Sequence, residues 1–369
     1  MQLRHLIFTV LAGLTMLSAS CGDDEPMLSD SCTHDFNQSA MFAALADDVI
    51  LPELTAFRAT TDDLQTATTA FLQNQNDETL TAARTALQTA WLQWQAVAQY
   101  SFGPAEDVFL RNSVNNFPLN TEETIAKIEN ADYDFTSPDA FDKGFPAAEY
   151  LLYGVGGSPE AVLDFYATDA NAALYADYLN AVINDIKTRT DSTANAWQNG
   201  YRDDFVANTG TAAGTALSLI INGLNQNYEL IKNEKLGIPV GALTLGFANP
   251  ESVEALYSRN STALLTAALQ ATRDFFTGKE GLGLDDYLRA VSAQKNGQDL
   301  ATIIIEQLNE TIALAEGLNP DLATEIENYQ ERVEAVYNET ARNVVPLKTD
   351  MPSVLCVAIT YIDNPSDSD

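Results

Sequence analysis

The chain has 369 residues, 52 of them acidic and 19 Lys or Arg, for a formal charge of −33. Such a charge excludes nucleic acid and anionic lipid surfaces as partners for the folded body, since both repel it. Apolar residues make up 46%, enough for a sizeable core, but there are only two histidines, His5 and His34.

The first elements concern export. Arg4 precedes an apolar run from Leu6 to Leu17, then come Ser18-Ala19-Ser20 and Cys21. This pattern predicts a secretory signal over 1–20, too short to span a bilayer. A cysteine directly after small residues predicts lipidation of Cys21; ordinary cleavage nearby, leaving Cys21 a thiol, is the alternative. Residues 21–35, with Gly22-Asp23-Asp24-Glu25-Pro26, then form an acidic tether. The expected location is the bacterial outer membrane, lipid-anchored, facing the periplasm or the cell surface. Cys32 and Cys356 remain, and two cysteines in an exported chain point to a disulfide near the two ends. A loop of that length gives on the order of 5 kcal/mol in the chain-entropy picture.

From about residue 36 the hydrophobic periodicity is helical. Leu80, Leu87, Trp91, Trp94 and Ala98 share one face, and Leu174, Tyr178, Val182 and Ile186 share another, followed by Trp197, Tyr201 and Phe205. Ala301, Ile304, Leu308, Ile312 and Ala315 make a later stripe, and Leu322, Ile326, Tyr329, Val333 and Val336 one more. Ser158-Pro159-Glu160, Asn249-Pro250-Glu251 and Asn319-Pro320-Asp321 each place a capping side chain, a proline and an acid where a helix begins. Asn120 with Glu123 reads as another cap. Pro52 interrupts a helical stretch from about Ser39 to Asn74 and predicts a kink or restart. The run Val354–Ile362 reads as a short strand or an extended tail, and 363–369 as a polar end. The expected fold is therefore all-α, as two packed helical bundles over 36–200 and 201–362, with breaks near Asn208-Thr209-Gly210 and from Gly237 to Pro250.

Several segments carry a resemblance. In order they are Val49-Ile50-Leu51-Pro52, Phe102-Gly103-Pro104, Asn116-Phe117-Pro118-Leu119, the stretch Lys143-Gly144-Phe145-Pro146-Ala147-Ala148-Glu149 continuing to Gly154, Gly237-Ile238-Pro239-Val240-Gly241, and Glu254-Ala255-Leu256-Tyr257-Ser258-Arg259-Asn260-Ser261. Together they resemble the imelysin family of exported bacterial proteins, over roughly 36–362. The resemblance implies an all-helical, two-domain fold with a ligand site between the domains, and an envelope protein linked to iron uptake, with an envelope iron transporter as a possible partner. The family's peptidase label rests on a Gly-x-His-x-x-Glu motif. Here Gly144 and Glu149 match it, Pro146 stands in place of the histidine, and Ala98 lies near where a glutamate is expected before Phe102.

The chemistry follows from that substitution. A catalytic zinc site needs about three ligands and an open water position, and a serine nucleophile needs a base; His34 alone supplies neither. A carboxylate site remains: Glu149 with Glu254 is expected to hold iron or another hard cation through oxygen, if any metal binds. Trp91 either lines the ligand cleft or packs in the core, the commoner role. Ser258, Arg259 and Ser261 open a helical stretch, and Arg259 is expected to pair with Glu149 where a metal is lost. The function expected is a binding role in iron or iron-complex uptake, with Gly144, Pro146, Glu149, Glu254, Ser258, Arg259, Ser261 and Trp91 around the ligand. The alternatives are a divergent metallopeptidase using Glu149 and a scaffold lipoprotein without a small ligand.

Overall fold

The computed structural model describes residues 32, 34–138 and 140–361, so the expected signal, Cys21 and the tail 363–369 lie outside the described residues. Residues 1–34 and 35–369 are separate units, and in the first only Cys32 and His34 are described. Cys356 is disulfide-bonded, as is Cys32.

The described residues from 35 to 361 are mostly helical. Helix α1 (Gln38–Ala44) is capped by Asn37, whose side chain accepts from Ala40 N at 3.1 Å. It runs into a π-turn, Leu45–Ile50, and then α2 (Leu51–Gln73). The expected restart at Pro52 is met: α2 begins at Leu51 with Pro52 in its first turn, and the wider turn before it closes with Leu51 N on the Ala46 carbonyl. Asn76 and Thr79 form a capping box at α3 (Asp77–Val97), and Asn120 caps α4 (Thr121–Glu129) as expected. After α5 (Gly144–Glu149) come α6 (Ala172–Ala196), α7 (Ala216–Leu230), α8 (Ser261–Thr277), α9 (Leu300–Glu316) and α10 (Leu322–Arg342).

Three expected helix starts differ. Ser158-Pro159-Glu160 opens a 3₁₀ turn, Pro159–Ala161, without a cap bond from Ser158, before a short helix over Val162–Thr168. Asn249-Pro250-Glu251 opens only a 3₁₀ turn, Pro250–Ser252, and no α-helix follows until Ser261. Ala255 and Arg259 both adopt φ of 58°, a left-handed backbone that a helix cannot hold. At the third start it is Asp321, not Asn319, that caps α10, accepting from Thr324 N. Tyr329, expected on a buried stripe of α10, is exposed, because its φ of −147° bends the helix there.

Helix α2 packs against both α3 and α6, α8 packs against α3 and α9, and α9 against α10. The contact of α3 with α8 joins the two halves of the chain, so the two expected bundles lie within one compact unit, and the 200/201 division falls at the end of a π-turn, Trp197–Tyr201. Trp91, Trp94, Phe57 and Phe145 form an aromatic centre between α2, α3 and α5; Trp91 stacks on Phe145 with ring centroids 5.6 Å apart. The Val354–Ile362 run forms no strand through 361: after a helical turn, Met351–Val354, it continues as a tail pinned to α7, with Asn222 donating to the Ala358 carbonyl and accepting from Thr360 N. The strands are instead Gln294–Lys295 and Gln298–Asp299, an antiparallel pair turned by Asn296-Gly297, both at positive φ.

Candidate functional site

Gly144 begins α5 because nothing larger fits: its φ is +71° and a Cβ would meet the Val114 carbonyl oxygen at 2.4 Å. Phe145 then enters the aromatic centre. Pro146 occupies the first turn of α5, where its missing N–H leaves no helical bond unmade. One turn on, Glu149 ends α5, and the helix widens into a π-turn over Tyr150–Gly154. The motif segment thus keeps its shape without an imidazole.

Glu149 is 2% exposed. Its Oε1 accepts from the Ser258 backbone N at 2.7 Å and from the Ser258 hydroxyl. Burial pushes its carboxyl up to about 7, against the downward pull of the Ser258 hydroxyl and of the Ser258 and Tyr257 backbone N–H groups; the Glu254 charge adds a further small rise. The expected Arg259–Glu149 pair does not form. Arg259 is 73% exposed in its side chain and sits 3.8 Å from Asp321, a surface pairing of little energetic weight. Hydrogen bonds from Ser258 satisfy Glu149 in place of a charge. Ser261 is buried at the start of α8 and its hydroxyl has no hydrogen-bond partner among the described residues, so it is not joined to Glu149.

Glu254 belongs to a second network. Its Oε2 is ion-paired with Lys235, and its Oε1 accepts from Gln95 at 3.2 Å and Asn115 at 2.8 Å. Asn115 accepts in turn from the Trp91 indole N–H at 2.8 Å. Trp91 is 2% exposed, so it packs in the core and reaches the site through Asn115. The Lys235 ammonium also lies 5.5 Å from the centre of the Phe117 ring. Sequence reasoning missed Lys235, Gln95 and Asn115, which meet Glu254 across 19 to 159 residues of chain. No local spacing signals such a meeting.

These two networks do not fit a bare cation held by Glu149 and Glu254. Lys235 already supplies the positive charge on Glu254, and Glu149 Oε1 carries two donors. Among the described residues no three His, Cys, Asp or Glu side chains gather into a metal-binding group. A hard ion would have to displace an ammonium and two hydrogen bonds.

Phe117 separates two small cavities, each of about 40 Å³. One lies beside Pro146, Glu149, Leu119 and Tyr257. The other lies beside Trp94, Ala98, Arg111, Asn115 and Lys235. Each has room for roughly three waters. A larger cavity of about 150 Å³ lies away from both, between α2, α3 and α8; of its polar groups, Glu53 is paired with Lys279 and Asp274 with Arg273.

A family model described as imelysin matches residues 50–343. No curated protein matches the chain. Among solved structures, a Parabacteroides distasonis protein with the provisional designation iron-regulated protein A precursor aligns at TM-score 0.73 and 19% identity, over 88% of this chain and 96% of its own. An imelysin-like protein from Psychrobacter arcticum aligns at TM-score 0.68 and 18% identity, over 89% and 99%. At these identities the two structures are alike in fold.

Proposed function

The chain belongs to the imelysin family, and from that premise we propose that it binds an iron complex for uptake at the cell envelope and does not hydrolyse it. The observation that carries the reading is the state of the motif glutamate. Glu149 is buried and bound by Ser258, with a proline where the metal-binding imidazole would stand. A carboxylate so placed can gate or shape a cleft, while nothing beside it activates water on a metal. The iron part is supported by the designation of the Parabacteroides structure. The ligand face of this reading is the surface around Pro146, Glu149, Leu256 and Tyr257, where the cavity of about 40 Å³ admits one donor arm of an iron complex and not the whole complex. Its lipid anchor is Cys21, its site the outer membrane, and its natural partner an envelope iron transporter.

Titration of the mature protein with ferric citrate and with haemin tests this. Saturable binding that weakens at least about tenfold in Glu149→Gln, with no peptide cleavage, is expected. Stoichiometric zinc together with Glu149-dependent cleavage of peptides overturns it in favour of the peptidase. Mass spectrometry of protein extracted from membranes is expected to find Cys21 acylated, and an unmodified Cys21 refutes the anchor.

A further inference from the structure

Arg111 lies in the short helix Leu110–Val114 and lines the second cavity. Its Nε donates to the Ser101 hydroxyl at 2.8 Å and its Nη2 to the Ala98 carbonyl. Nη1 is buried and has no hydrogen-bond partner among the described residues. Glu234 lines the same cavity and feels the guanidinium, yet forms neither an ion pair nor a hydrogen bond with it. Buried cations are almost always paired, because an open charged donor away from water is costly. Arg111 and Glu234 are each only partly exposed, and burial pulls Arg111 down to about 10 and pushes the Glu234 carboxyl up.

The rest of the cavity wall has a definite chemistry. Lys235 sits there with one of its donors on Glu254, and Asn227 brings a carboxamide. Trp94, Ala98, Phe117 and Leu230 close it with apolar surface. The volume of about 40 Å³ matches roughly three water positions, or the three heavy atoms of a carboxylate group. We propose that this cavity binds a small trigonal oxyanion, a carboxylate or hydrogencarbonate, seated on Arg111 Nη1. Its second oxygen faces Lys235 and Asn227. A guanidinium edge suits such an anion because two of its oxygens lie in one plane with the N–H groups. The site stands apart from Glu149 and does not depend on the iron reading.

The test is thermal unfolding of the mature protein, without iron, in sodium formate, sodium hydrogencarbonate or sodium succinate against sodium chloride at equal ionic strength and pH. Formate at a hundredfold excess over its Kd is expected to raise Tm by on the order of 4 °C beyond chloride. Ala98→Glu places a carboxylate in the cavity beside Arg111; it is expected to unfold at higher temperature than the parent in chloride and to lose the formate response. Ala98→Leu fills the space without charge and is expected to lose the response without the gain. A formate response that succinate lacks identifies a free small anion, and equal responses identify the carboxylate of a larger molecule; either supports the site. Identical Tm values in formate, hydrogencarbonate and chloride overturn it, as does a formate response retained in Ala98→Glu.

Discussion

Replacing Glu149 by glutamine removes a proton-binding group while keeping an oxygen to accept from Ser258. The folded chain holds the Glu149 proton up to about pH 7, against an ordinary value of 4.5. Between those values the native state binds more protons at this position than the unfolded state does. Stability from this group is therefore greatest at low pH and falls as pH rises from about 4.5 through about 7. At about 1.4 kcal/mol for each pKa unit, the loss is roughly 3 kcal/mol, and Glu149 is buried enough that solvent does not screen it. For a chain of this size that is on the order of 4 °C in Tm. The glutamine variant carries no such proton, so its stability relative to the parent should rise by roughly 3 kcal/mol from pH 5 to pH 8. Denaturant unfolding of both proteins at pH 5, 6, 7 and 8, at constant ionic strength, measures the difference, in which groups common to both cancel. A difference that stays flat within about 0.5 kcal/mol across that range refutes the reasoning.

Ser258→Ala leaves Glu149 one donor short and should cost about 1–3 kcal/mol at neutral pH, with the pH-dependent loss moving to higher pH; unchanged stability and pH profile would count against the contact. Arg259→Met should alter stability by less than about 0.5 kcal/mol, since its side chain is exposed and reaches Asp321 only at 3.8 Å, and a larger effect in urea unfolding would contradict that placement. Glu254→Gln leaves the Lys235 ammonium buried without its counter-charge and should cost about 3–5 kcal/mol, much of it recovered when Lys235→Met is added; strictly additive losses in that double-mutant cycle would refute the pair. Gly144→Ala should cost at least about 2 kcal/mol or prevent folding, because both its φ and the Val114 carbonyl reject a Cβ.

Much of the fold was legible because helix periodicity and caps are local. The stripe through Leu80, Leu87, Trp91 and Trp94 is buried, and the Asn120 cap is made as read. Pro146 was legible too, as a residue at ease in a first turn. The misreadings came where local signals met a tertiary demand. Asn249-Pro250-Glu251 carries every mark of a helix start, yet the chain must turn at Ala255 and Arg259 to bring Ser258 onto Glu149. The Asn296-Gly297 turn was a local hairpin signal that the helical reading passed over.

The helices, the shape of the motif segment and the loss of imidazole beside Glu149 follow from residues close together in the chain, because propensity, capping and residue identity act over a few positions. The choice of partners came from the packing of distant segments: Ser258 rather than Arg259 on Glu149, Lys235 on Glu254, and an Arg111 Nη1 without a hydrogen bond among the described residues. Those choices depend on which buried groups meet across the packed helices, where water is absent and each charge or donor takes whatever partner the packing brings within reach.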